Sequence, residues 1–430
     1  MAVSDPVADL ATLLSRATFG PFPGQATALL EAHGDRDGVI DHLMTAVIPF
    51  EPRLPDEGEH AEVVVAIDDP DSTDLYYYQK YRPWWLDRLR SDDAGVHERM
   101  MWFWHTHLTS SFVKVDSTNL CWRQLRTLHE HALGDVRSLV RAMTLDGGML
   151  RYLDGDGSKA EAPNENYARE LMELFTIGFD RFSQDDVTAA ARLLSGWRLQ
   201  TPGLEVVFDE GNGPKDPERV LGRNGCRDID DLIDVLLAQE ACAPFLVTAM
   251  WELFIGGEPD PQLVATWADG LRRSDYAIAP TVEAILRSDA LVASAGTRPR
   301  TPLEWACGAA RATGTSSREL RVAELGQSPY LPPSVAGWPK GAAWLTPSQV
   351  RARAAFLAGI DVPIAEELAA APDVVAAVLD RCSVGSPSEA TSGALRQLAA
   401  DLASDPSVDE AAAAAQVLAA SLLSPEVALR

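Results

Sequence analysis

Apolar residues recur at three- and four-residue steps along most of this 430-residue chain, and runs that alternate apolar with polar, as half-buried strands do, are almost absent. The pattern is fullest over 121–150, where Leu125, Leu128, Ala132, Val136, Leu139, Val140 and Met143 fall on one helical stripe. Residues 7–18, 83–92 and 95–112 read the same way, and the last two are rich in tryptophan. The one compact β-branched run, at 63–67, is expected to be a short strand or an extended crossing of the surface. The expected fold class is therefore mainly α, a large helical domain with room for two lobes.

Long Pro/Gly-rich stretches punctuate the helices. Residues 53–74 are acidic with prolines; 200–227 carry Pro202, Gly203, Gly211, Gly213, Pro214 and Pro217; 326–347 carry Pro329, Pro332, Pro333, Gly337, Pro339 and Gly341. Loops this long inside a compact domain are more often functional than idle, so the second and third are candidate pocket walls. Beyond about residue 362 the chain turns Ala-rich, with helices expected near 363–383, 389–403 and 411–423. This gives a helical domain over 1–360 and C-terminal helices over 361–430 packed on it.

A net charge of −26, with no Lys/Arg-rich run, excludes a nucleic-acid partner, which needs a clustered basic face. No run of about 18 uncharged apolar residues exists to span a membrane. The five cysteines, Cys121, Cys226, Cys242, Cys307 and Cys382, show no paired spacing, so reduced, buried thiols are expected. With no basic and apolar leader visible at the start, that points to the cytoplasm. The chain has no phosphate-binding Walker loop, no dinucleotide glycine fingerprint, no Gly-x-Ser-x-Gly elbow and no His-Glu-x-x-His.

Two segments mix titratable side chains with large apolar ones: Trp102-Phe103-Trp104-His105-Thr106-His107 and residues 163–175. On an unbroken helix His105 and His107 point about 200° apart and cannot share one metal. They read either as a core histidine beside a surface one or as ligand and acid–base groups. On a helical wheel with Asn166 at the origin, Arg169, Glu170 and Glu173 fall within about 60° of it. Glu170 and Glu173 could then converge on a cation, with Asn166 joining them. The same stripe equally describes a solvated face with a Glu165, Arg169, Glu173 ion ladder, and Asn164 could simply cap the helix. Downstream, Ser183 and Asp186 resemble a capping box, and Asp154 sits in an Asp-Gly turn that needs no metal. His129 and His131 repeat the His-x-His spacing, so one is expected inward and one outward.

Taken in order, residues 13–20, Trp104-His105-Thr106-His107, His131-Ala132-Leu133-Gly134, residues 164–178, residues 186–197, the run from Leu325 to Pro339 and Leu423-Ser424-Pro425-Glu426 resemble the bacterial domain-of-unknown-function family 1800 over nearly the whole chain. The resemblance implies a mainly helical protein without a settled activity. Many relatives are exported, and the relatives' genes often neighbour that of a sulfatase-like protein of domain-of-unknown-function family 1501. It carries His105, His107, His131, Asn164, Glu165, Asn166, Arg169, Glu170, Glu173 and Trp338 onto matching positions as motif residues. Of these, His105, His107, Glu165, Arg169 and Glu170 are the candidate catalytic groups. His107, Asn166, Glu170 and Glu173 are the candidate ligands of a divalent metal. One departure stands out: relatives often have a His-Asp pair before Gly-Pro-Lys, where this chain has Phe208-Asp209 and then Gly213-Pro214-Lys215.

Two functions follow. The first is an enzyme using a divalent metal or a His/Glu acid–base site on a polar substrate, hydrolase or oxidoreductase. The second is a non-catalytic interaction or export companion of the sulfatase-like partner, with Trp102, Trp104, Trp338 and Trp344 as anchors.

Overall fold

Most helices in this chain begin at a short polar residue that answers an orphan amide. Asp5, Asp35, Asp135, Asp146, Asp228 and Asp260 each cap a helix by accepting from a backbone N–H in the first turn. Ser183 and Thr301 go further and form reciprocal capping boxes with Asp186 and Glu304. Part of the large acidic excess is therefore helix punctuation. The computed structural model describes residues 5–50, 81–200, 203–316 and 321–429. Helix takes up 60% of it and strand 5%, so the fold is mainly α. Among the described residues no single helix is long and apolar enough to cross a membrane.

The strands that exist were not foreseen. β1 (Trp197–Gln200) pairs antiparallel with β2 (Glu205–Phe208), and β3 (Glu218–Val220) with β4 (Arg223–Cys226). They occupy the stretch that reads as a Pro/Gly loop, because strands of three or four residues are too short to display a period of two. The run at 63–67 lies outside the described residues.

The helix Val96–His107 is the axis of the core, buried at every residue from Val96 to His105. It packs on Thr118–His131 and on Arg36–Thr45. Four polar side chains in it, those of His97, Glu98, Arg99 and His105, are buried along with the apolar ones, and Arg99 is among the fully buried. Its guanidinium meets the Glu304 carboxylate, which Arg298 grips from the other side at 2.7 and 3.0 Å. The Thr301 amide adds a hydrogen bond of 2.9 Å. Burial alone would raise the Glu304 carboxyl, but Arg298 and Arg99 outweigh it and hold it well below the usual carboxylate range.

Other buried arginines act as ties between segments far apart in sequence. Arg16 donates to the Ser294 carbonyl at 2.8 Å, and Arg311 donates to the carbonyls of Gly20 and Leu89. Phe19 lies under the Arg99 guanidinium, 5.2 Å from ring centre to carbon. The Arg16–Gly20 part of the N-terminal motif is thus accounted for by structure. The closing motif behaves alike: Glu426 accepts from the Ser388 amide and the Thr391 hydroxyl, both at 2.9 Å, at the start of the helix Glu389–Ser404.

The C-terminal helices fall at Ala365–Ala369, Val374–Arg381, Glu389–Ser404 and Glu410–Leu422, close to expectation. They meet the rest through Trp305, whose indole donates to the Leu422 carbonyl at 2.9 Å, and through Arg300 N to Ala428 O at 2.9 Å. All five cysteines are buried, reduced thiols.

Replacing Glu304 by Gln leaves two buried guanidinium groups without their counter-charge. Urea unfolding is expected to show a loss of about 3–5 kcal/mol. Because the folded carboxyl titrates below its unfolded value, its contribution is present at neutral pH and lost as pH falls through the acid range. The wild-type midpoint should therefore drop on acidification more steeply than that of Glu304→Gln.

Candidate active site

The helix Val96–His107 ends at His107 itself, with Leu108 leaving helical geometry. Both histidines are therefore helical and diverge as the spacing requires. His105 is fully buried among Trp85, Trp102, Tyr330 and Trp338, with ring centroids 4.3 to 5.6 Å away. Its Nε2 accepts from the Tyr330 amide at 3.1 Å, and burial lowers its pKa to about 3. That makes His105 a neutral core imidazole anchoring the 326–347 loop.

His107 faces the other way and is only partly buried. Its Nε2 is 2.9 Å from the Phe175 carbonyl. A carbonyl only accepts, so Nε2 carries the hydrogen and the lone pair of the neutral ring is on Nδ1. Burial brings its pKa down to about 4; the Phe175 bond opposes that shift and Lys340 adds to it. The ring stacks on Phe103 at 5.6 Å and 16°.

The Phe175 carbonyl is in place because the second segment is not a plain α-helix. Residues Asn166–Glu170 are α-helical, but Leu171–Thr176 widen into a π-turn, with Ile177 N bonded to Met172 O five residues back. The wheel at 100° per residue therefore fails beyond Glu170. Asn164 accepts from the Asn166 amide at 2.9 Å, but it stands one residue ahead of the N-cap position, Glu165, where no side chain caps the helix. Asn166 is 3.4 Å from Asp154, whose carboxylate is held by Lys114 at 2.7 Å. Glu165 accepts from Gln184 and Thr188, both at 2.7 Å, and lies 3.5 Å from Arg169. Glu170 is half-buried, and burial and then Glu173 raise its carboxyl, against Arg169.

No hydrogen bond or ion pair among the described residues joins His107 to Asn166, Glu170 or Glu173. Nor do His107, Glu170 and Glu173 form a trio of close ligand atoms; among the described residues only His97, Glu98 and His129 do. His129 and His131 are both partly exposed, rather than one inward and one outward.

What surrounds His107 is a cleft of about 80 Å³. Trp102 and Trp338 wall it, and Glu252, Arg298 and Lys340 bring charges to its lining. The Pro/Gly-rich loop at 326–347 thus forms one side. Gly337 makes this possible: it has φ +78°, and a Cβ there would stand 2.9 Å from the Thr106 carbonyl and 3.1 Å from the Thr109 hydroxyl. Sequence reasoning passed over Lys340, although it is one of only five lysines and directly follows the Trp338-Pro339 motif. Nothing in the sequence marks Glu252. A larger hollow of about 770 Å³, between residues 180–192 and the β3–β4 hairpin, is open; its Arg192 is already 3.4 Å from Glu218. The 200–227 stretch contributes to that hollow and not to the His107 cleft.

Residues 12–429 match the family model described as "Protein of unknown function (DUF1800)", so the chain belongs to that family. No curated protein and no solved structure matches it.

Nitrogen NMR of His107 should report an Nε2–H tautomer that stays neutral until pH approaches about 4. Since the unfolded ring takes up a proton near pH 6.5, the unfolded state binds more protons between those values, and stability should fall as pH drops through that window. Gly337→Ala combines left-handed backbone with a backbone clash. Thermal unfolding should show a loss beyond the ~1–2 kcal/mol of the left-handed region alone. Gly222→Ala, at φ +85° with open space around it, should show only that smaller loss.

Proposed function

We propose that this protein is an enzyme working by general acid–base chemistry on a small polar group admitted to the His107 cleft. The observation that supports it is the fixed tautomer of His107. A neutral imidazole with its lone pair on Nδ1 is a base at neutral pH, and its orientation is set by the Phe175 carbonyl rather than by substrate. Lys340 offers positive charge for an anion developing beside it, in a cleft walled by Trp102 and Trp338. Proton abstraction and activation of a water both suit this arrangement, so the reading covers hydrolytic and redox chemistry that begins with proton transfer. The metal form of the reading, with His107, Asn166, Glu170 and Glu173 as ligands, is separated by the same experiment.

Turnover of p-nitrophenyl acetate and p-nitrophenyl phosphate by the wild type is compared with that of three variants. His107→Gln should lower kcat by about 10²–10⁴-fold while leaving the fold intact. Lys340→Ala should cost less, and Glu170→Gln should leave the rate unchanged. Loss of turnover in Glu170→Gln together with loss of bound divalent metal favours the metal form. A His107→Gln rate equal to wild type, or no turnover of either probe by the wild type, overturns the proposal.

A second reading, a non-catalytic companion of a sulfatase-like protein of domain-of-unknown-function family 1501, draws support from Leu345 and Val350. These exposed apolar side chains flank the end of the same loop. Co-expression followed by gel filtration tests it: co-elution that Leu345→Asp abolishes supports the companion role, and separate elution removes it.

A further inference from the structure

The first turn of the helix Val96–His107 carries a second histidine cluster, at the end opposite His107. His97, Glu98 and His129 each place a ligand atom within 4.8 Å of the other two. His97 and Glu98 are buried, and the rings of His97 and His129 are 4.4 Å apart. His97 Nε2 is 2.9 Å from the His129 carbonyl, and His129 Nε2 is 3.0 Å from the Ile48 carbonyl. Each carbonyl demands a hydrogen from the nitrogen it faces, so in both neutral rings the lone pair lies on Nδ1. Anchoring the distal N–H on a backbone carbonyl is how metal-ligating histidines are oriented.

The contact between His97 and Glu98 sharpens the point. His97 Nδ1 is buried, makes no hydrogen bond and sits 3.5 Å from Glu98 Oε1. A lone pair facing a carboxylate at that distance is repulsive unless something positive lies between them. Two ligands of a tetrahedral zinc, each 2.0–2.1 Å from the metal, stand about 3.3 Å apart, close to the spacing seen.

We infer that His97, Glu98 and His129 form a zinc site with three protein ligands and a fourth position open to water or a small ligand. Arg88 decides which ion is suited. It donates to both Glu98 oxygens, at 2.8 and 2.7 Å, and so cancels the charge of the carboxylate while leaving each oxygen a lone pair. Hard cations such as calcium and magnesium, which depend on oxygen ligands with net negative charge, are disfavoured. Two imidazoles and one oxygen suit a borderline ion. The site would tie the start of Val96–His107 to the end of Thr118–His131 and to the Ile48 segment. It is independent of the His107 cleft.

The rival is a proton in the place of zinc, with His97 as an imidazolium between two acceptors. The full chain, stripped with a chelator and dialysed, is titrated with zinc chloride and separately with cobalt chloride. The proposal expects one ion per chain, visible cobalt bands of a four-coordinate nitrogen/oxygen site, and movement of the His97 and His129 ring-nitrogen resonances in the wild type. His97→Gln and His129→Gln should each weaken zinc binding at least tenfold. His107→Gln should bind as wild type, as should His33→Gln, which breaks an exposed stacked pair with His42. Absence of stoichiometric binding, resonances of His97 and His129 unmoved by zinc, or binding lost in His33→Gln but kept in His97→Gln would each overturn it. The wild-type resonances carry the test if a variant fails to fold.

Discussion

A single carboxylate, that of Glu304, is shared between two buried guanidinium groups, and much of the architecture is arranged around it. Arg99 comes from the first turn of the axial helix, Arg298 from the segment before the helix Pro302–Thr313, and Glu304 from that helix's own capping box. Removing these three charges from water is costly, and such a cluster is tolerated only where geometry and further hydrogen bonds satisfy its remaining groups. Here the cluster also borders the His107 cleft, since Arg298 and Glu304 both line it. The position of the Trp338 loop relative to the axial helix therefore depends on an interaction that neither element contains alone.

The other buried arginines extend the same logic. Arg88 pairs with the Glu98 carboxylate, but Arg16, Arg311 and Arg353 donate to main-chain carbonyls, those of Ser294, Gly20, Leu89 and Arg300. Such bonds satisfy acceptors at helix ends and in turns, and those of Arg16 and Arg311 connect residues more than two hundred positions apart. Most acidic residues stay outside, where many cap helices, so the chain is acidic in composition and cationic in parts of its interior.

The helices were legible because a three- to four-residue period survives tertiary context, and the Ser183 box because its spacing is its mechanism. The segments carrying the cleft were legible too: His107, Trp102 and the loop through Trp338 stand out by mixing polar and aromatic groups. The hairpins were not, because three or four residues hold no period. The partners of Asn166 and Glu165 were not, because Asp154, Gln184 and Thr188 are brought to them by folding and not by spacing. The wheel that grouped Asn166, Glu170 and Glu173 assumed one helical pitch, and the pitch changes at Leu171. His97 and Glu98 gave no signal, since their third member is 31 positions away from Glu98, on another helix.

The widened turn at Leu171–Thr176 leaves the last carbonyls of that segment beyond the reach of later amides, and one of them is the acceptor that orients His107. Because the acceptor belongs to the main chain, exchanging the side chain at position 175 does not delete it. A change in the number of residues would. The imidazole's bearing is thus set by the spacing of the backbone rather than by the identity of the side chain at position 175.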